Sequence, residues 1–141
     1  LGVAPLSDAF TAHRLYEWTR DSRAPIRNWL LDQTRVAGIG NIYSNEALFR
    51  AGIRPTRRAG SLTRAEAARL RDAIREVLTE AIRKRGTTVQ AYRDGAGEAG
   101  EYAPFLRVYG RAGEPCPVCG TPIRRVVISN RSAFYCPRCQ R

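Results

Sequence analysis

The sequence predicts a mainly α protein: a helical domain followed by a small β-hairpin zinc finger. Three observations carry this. Apolar residues recur at helical spacing through the first hundred residues, most clearly from Thr63 to Ile82. Beyond about residue 105 the pattern changes to short β-like runs, "FLRVYG", "IRRVVIS" and "AFYC". All four cysteines fall in the last 26 residues as two C-x2-C pairs separated by sixteen residues. The expected border therefore lies near residue 105, dividing a domain over 1–104 from a finger over 105–141.

The elements follow in chain order. Residues 5 to about 20 read as a helix, with Ser7 or Asp8 as its cap and Phe10, Leu15 and Trp18 as core candidates. "SRAP" breaks that run, and "IRNWLLDQTR" then places Ile26, Trp29 and Leu30 on one helical face. Gly38 and Gly40 end this segment, and "NIYSNEALFRAG" reads as a short helix closed by Gly52. After the loop "GIRPTRRAGS", Thr63 and Glu66 form a T-x-x-E capping box. Leu70, Ile74, Val77, Leu78, Ala81 and Ile82 mark the core face of a long helix that Gly86 ends. The glycine-rich stretch "DGAGEAGEYAP" reads as a flexible loop.

Each C-x2-C pair makes a tight knuckle that aims two thiolates at one ion, and a hairpin between the pairs folds one knuckle onto the other. Cys116, Cys119, Cys136 and Cys139 are thus the predicted ligands of one structural Zn2+. Two disulfides or a redox C-x-x-C pair are the competing readings of these cysteines. With four thiolates bound, no position is left for water, so a zinc here holds the fold and performs no Lewis-acid chemistry.

A net charge of +11 points to a polyanionic partner, nucleic acid before an anionic membrane. No basic amphipathic helix with a clean aromatic face supports the membrane, and no apolar run is long enough to span one. The start of the chain carries no signal-peptide pattern, so a soluble intracellular protein is expected. Of the 24 cationic side chains one alone, Lys84, is a lysine. Covalent amine chemistry could draw only on Lys84 or the amino terminus, because guanidinium forms no Schiff base. Methionine is absent and the chain opens at Leu1, which suggests a piece of a longer protein.

Two places suit a phosphate. In "GIGN", Gly38 and Gly40 leave backbone N–H groups accessible before a helix N-terminus, and Asn41 either caps that helix or offers its amide to an anion. A purely steric turn explains the same glycines. At the expected hairpin tip, "SNRS", Arg131 is placed to fork onto phosphate oxygens or to stand as a solvated turn residue.

Together "LLDQTRVAGIGNIYSNEALFRAGI", "GTTV", "LRVYGRAGEPCPVCGTPI" and "RSAFYCPRCQ" resemble the C-terminal half of the formamidopyrimidine-DNA glycosylase / endonuclease VIII family, closer to its formamidopyrimidine branch. The resemblance implies a helix–two-turn–helix domain plus zinc finger, and a base-excision-repair DNA glycosylase/AP lyase acting on 8-oxoguanine and formamidopyrimidines. It implies a double-stranded DNA partner carrying an oxidised base or abasic site, a bacterial, cytoplasmic, nucleoid-associated location and a monomer. Carried onto this sequence, Asn41 and Gly40 would hold a backbone phosphate near the lesion. Arg131 would grip phosphate and assist elimination. Arg23 and Arg27 would contact DNA. Tyr109 would position the backbone or pack in the core. Residues 87–105 would close on a base flipped from the stack. The family's nucleophile, an N-terminal proline on a β-rich domain, has no match here. The chain alone is then expected to be inactive. The alternative is a freestanding zinc-dependent nucleic-acid-binding module without catalysis.

Overall fold

A computed structural model describes residues 2–85 and 102–141. Four helices, α1 (Ala12–Thr19), α2 (Ile26–Leu31), α3 (Asn41–Ala51) and α4 (Arg64–Arg85), precede an antiparallel hairpin of β1 (Arg124–Ile128) and β2 (Arg131–Tyr135). The predicted stop at Gly86, Leu1 and residues 87–101 of the 87–105 loop lie outside the described residues.

The long helix begins as its sequence demands. Thr63 donates its N–H to the Glu66 carboxylate at 2.9 Å, and Glu66 returns its N–H to the Thr63 hydroxyl at 3.0 Å. Arg57 adds a forked contact to the same carboxylate, at 2.9 and 3.0 Å. The Arg57 bonds first, helped by those from Thr63, hold the Glu66 carboxyl down at about 2. Because the folded pKa is depressed, this contribution is complete above the unfolded value near 4.5 and disappears as pH falls toward about 2. Glu66→Gln is expected to cost about 1–2 kcal/mol at pH 7 and almost nothing at pH 2, read from denaturant unfolding at the two pH values.

Leu70, Ile74, Val77, Leu78 and Ala81 of α4 join Phe10, Leu15, Ile26, Trp29, Leu30, Leu48 and Ile53 in the main core. Ile82 does not; it is 58% exposed. Trp18 is also at the surface, its ring edge-on to Trp29 and covered by the Arg14 guanidinium at 4.5 Å. The first helix is shorter than predicted and is capped by Thr11, not Ser7 or Asp8, through a bond from the Arg14 N–H. Ahead of it the chain turns, because α4 supplies the partners that helical amides would have been. Arg75 donates to the carbonyls of Pro5 and Ser7, and Arg71 to that of Phe10.

A second, smaller core holds Val108, Cys116, Ile123, Phe134 and Cys136, and Phe49 of α3 inserts into it. The run "FLRVYG" is not a strand. A 3-10 turn at Ala103–Phe105 leads into it, and the N–H groups of Arg107, Val108 and Tyr109 all donate to the Glu46 carboxylate, at 2.7, 3.0 and 2.8 Å. On the far side of the finger the fully buried Gln140 accepts from Cys136 N–H and donates to the Ile53 carbonyl. Arg54 reaches the carbonyls of Pro137 and Gln140. α3, through Glu46, and the segment directly after it, through Ile53 and Arg54, thus tie both ends of the finger.

Candidate nucleic-acid interface and zinc centre

The four cysteine sulfurs lie within 4.8 Å of one another, and all four are free thiols. Cys116 and Cys139 are 3.9 Å apart, Cys119 and Cys136 3.5 Å. A tetrahedron with Zn–S bonds of about 2.3 Å has edges of about 3.8 Å, so this cluster fits one zinc ion and no disulfide. N–H groups of Val118 and Cys139 point at the first sulfur of their own knuckles, at 3.4 and 3.3 Å. The centre is closed and structural.

The two glycines of "GIGN" differ. Gly38 has φ of +84°, a conformation in which a side chain is strained, and its N–H is held by the Gln33 side chain at 2.7 Å. Gly40 is the N-cap of α3 in ordinary extended backbone, and a Cβ placed there would meet nothing within 4 Å. Among the described residues, neither conformation nor packing requires Gly40 to be glycine. What its missing side chain does is leave the start of α3 bare.

Asn41 is the first residue of α3, not its cap, and its side chain makes no capping bond. Instead its Oδ1 accepts from Arg27 and from Asn45, both at 3.0 Å, and its Nδ2 donates to the Ser132 carbonyl at 2.9 Å. Asn45 in turn accepts the Phe134 N–H at 2.7 Å. These bonds join the start of α3 to β2 of the finger. Arg131 opens β2, paired with Ile128; the tip itself is Ser129 and Asn130, at φ of 50° and 65°, the left-handed pair that a two-residue hairpin turn requires. The Arg131 side chain is exposed.

Arg27, expected as a DNA contact, is fully buried, and its guanidinium donates to Asn28 Oδ1, Asn41 Oδ1 and the carbonyls of Ile128, Arg131 and Ser132 at 2.7–3.4 Å. Burial, and then the nearby Arg131 guanidinium, push its pKa down. Arg23 is exposed in the turn before α2 and lines a separate cleft of about 400 Å³ with Arg20, Asp21 and Arg58. Tyr109 packs its ring against Phe134 at 5.0 Å and is half-buried. The geometry therefore brings together Asn41, Arg27, Arg131 and the bare Gly40, sets Tyr109 behind them within electrostatic reach of Arg27, and leaves Arg23 elsewhere.

Sequence reasoning missed Asn45, Glu46 and Gln140, all fully buried. One signal was available: "NIYSNEALF" carries apolar residues on every side of a helix, the pattern of a helix surrounded by protein, so its polar residues must be buried with the rest.

Fold and site together define a helix–two-turn–helix protein with a four-cysteine zinc finger. The family model of the formamidopyrimidine-DNA glycosylase H2TH domain matches residues 1–93, and that of the zinc finger found in FPG and IleRS matches residues 113–141. Formamidopyrimidine-DNA glycosylase of Symbiobacterium thermophilum is 54% identical over 99% of this chain and 46% of its own length. The enzyme of that name from Serratia proteamaculans is 51% identical over the whole chain and 52% of its own. The Lactococcus lactis FPG bound to FAPY-dG-containing DNA superposes with a TM-score of 0.87 at 35% identity, over 100% of this chain and 51% of that one. The chain belongs to the formamidopyrimidine-DNA glycosylase family. It spans about half the length of the curated relatives it matches.

Proposed function

We propose that this chain is the DNA-gripping part of a base-excision-repair glycosylase/AP lyase that acts on oxidised purines such as 8-oxoguanine and formamidopyrimidines. The observation that carries the reading is the joint placement of Asn41 and the exposed Arg131, fixed to each other by the Arg27 and Asn45 bonds beside a bare helix start. A backbone phosphate set there would meet the Asn41 amide, the first-turn N–H groups of α3 and the Arg131 guanidinium. Arg131 would steady the phosphate beside the sugar during elimination, while Arg23 would extend the contact along the strand. Among the described residues no helix is long and apolar enough to cross a membrane, and a monomer suffices because both phosphate ligands lie on one chain.

The nucleophile belongs to the part of the relatives that this chain does not span, on the family's pattern of an N-terminal proline. The single lysine, Lys84, stands over the Phe105 ring at 4.3 Å near the end of α4, away from Asn41 in sequence and element. We place the border between the two units near residue 105, just ahead of the backbone that Glu46 holds. Incubation with an abasic-site duplex and borohydride, beside a binding assay, tests this division of labour. Binding without a trapped adduct is expected, and Arg131→Ala should weaken that binding by about 1.5–3 kcal/mol. A trapped adduct would place the nucleophile on this chain and refute the division.

A further inference from the structure

Arg27 is a buried cation without a counter-ion. Every acceptor around its guanidinium is neutral: two side-chain amides and three backbone carbonyls. Among the described residues no carboxylate stands within ion-pairing distance of it. Asp32 lines the same cleft of about 220 Å³, but its carboxylate is bound by Thr34 and faces Arg35. The other charged side chain at that cleft is Arg131, a second cation. A buried charge ordinarily carries a partner, because leaving water without compensation is costly. Here the fold surrounds one arginine with dipoles and adds a like charge beside it. As a plain strut between α2 and the hairpin this is a poor arrangement. As a site completed by an anion it is a sound one.

We propose that Arg27 is the buried support of a phosphate clamp formed by Asn41 and Arg131, with the DNA phosphate as the shared counter-ion of both arginines, so that docking of the finger on the helices and binding of phosphate form one coupled equilibrium. The proposal rests on the reading of Asn41 and Arg131 as phosphate ligands. Arg27 does not touch the phosphate; it is a positioning residue. It holds Asn41 Oδ1, which fixes the plane of the amide and leaves one Nδ2 hydrogen for the anion. It also holds the carbonyls of Ile128, Arg131 and Ser132, which set where β2 starts and hence where the Arg131 side chain leaves the backbone. Without an anion the two guanidinium groups repel each other across this contact. With one, both are compensated, so by linkage the anion must stabilise the docked finger.

The test compares thermal midpoints of the zinc-loaded protein in chloride and in inorganic phosphate at matched ionic strength, with affinity for an abasic-site duplex measured alongside. The wild-type midpoint should rise in phosphate. Arg131→Gln should raise the midpoint in chloride, since the repulsion is gone, and lose at least half of the phosphate-induced rise. Arg27→Gln should abolish that rise and weaken duplex binding at least tenfold, while Arg27→Lys, which keeps the charge, should retain a rise. If Arg131→Gln lowers the chloride midpoint or leaves it unmoved, the clamp is overturned, even where Arg27→Gln fails to fold. A wild-type protein that binds the duplex but whose midpoint ignores phosphate overturns it too. A midpoint that answers to phosphate as described, in a protein that binds no duplex, upholds the clamp and removes the DNA reading instead.

Discussion

Glu46→Gln should destabilise the protein by about 3 kcal/mol, with the loss concentrated in the finger. The Glu46 carboxylate is fully buried on α3, and no cation pairs with it among the described residues. Its charge is met by the consecutive N–H groups of Arg107, Val108 and Tyr109. A carboxylate only accepts, so three donors suit it; a glutamine of the same shape must turn an NH2 group toward at least one of them. That substitution removes charge-assisted bonds worth about 1.5–3 kcal/mol each and leaves a buried donor facing a donor. Denaturant unfolding of the zinc-loaded protein, followed by hydrogen exchange at the three amides, reads both the size and the place of the effect. A loss below about 1 kcal/mol, within the range of ordinary surface substitutions, would mean that the finger is held by its hydrophobic contacts and its C-terminal straps alone.

That carboxylate also explains why one part of the fold was hidden from the sequence. "FLRVYG" is rich in strand-forming residues, and a strand needs a neighbour for its amides. Here the acceptor is a single side chain 61 residues earlier, which no local pattern can announce. The capping box at Thr63 and Glu66, the left-handed Gly52 and the two C-x2-C knuckles were legible because all their partners lie within a few residues. Ile82 and Trp18 mark the limit of periodicity: spacing identifies a face, but which residue sits at its edge depends on the neighbouring element.

The arginines teach the same lesson for the site. A net charge of +11 reads as a surface for nucleic acid, yet many of these side chains face inward to the chain's own carbonyls. Arg20 holds Gly60 and Leu62, Arg54 the second knuckle, Arg71 and Arg75 the turns before α1. A planar fork with five donors can bridge carbonyls from distant segments while staying charged, which a lysine does poorly. Part of the positive balance is therefore structural, and the charge count overstates the interface. Arg131 and Arg23 remain outward; Arg27, between them in the expectation, was the one that burial reassigned.

Removal of zinc should abolish DNA binding although no cysteine lies at the proposed interface. The finger's own core is Phe49, Val108, Ile123 and Phe134 around the cysteines, too little apolar area to order a two-stranded hairpin unaided. Structural zinc in such modules supplies on the order of 10 kcal/mol, so chelation should unfold the hairpin outright. The consequence then crosses to α3. Ser132, the acceptor of the Asn41 amide, and Ile128, the nearest acceptor of Arg27, both leave with the hairpin, as does Arg131 itself. Asn41 loses its orientation and Arg27 its acceptors in one step. The helical core, made of separate residues, should keep most of its far-ultraviolet signal. Elemental analysis should find one zinc per chain. Titration with a chelator, or Cys136→Ser, should reduce duplex affinity at least a hundredfold while helix content persists. Binding that survives complete loss of zinc would show that the interface does not depend on the finger, and would return Asn41 and the start of α3 to acting alone.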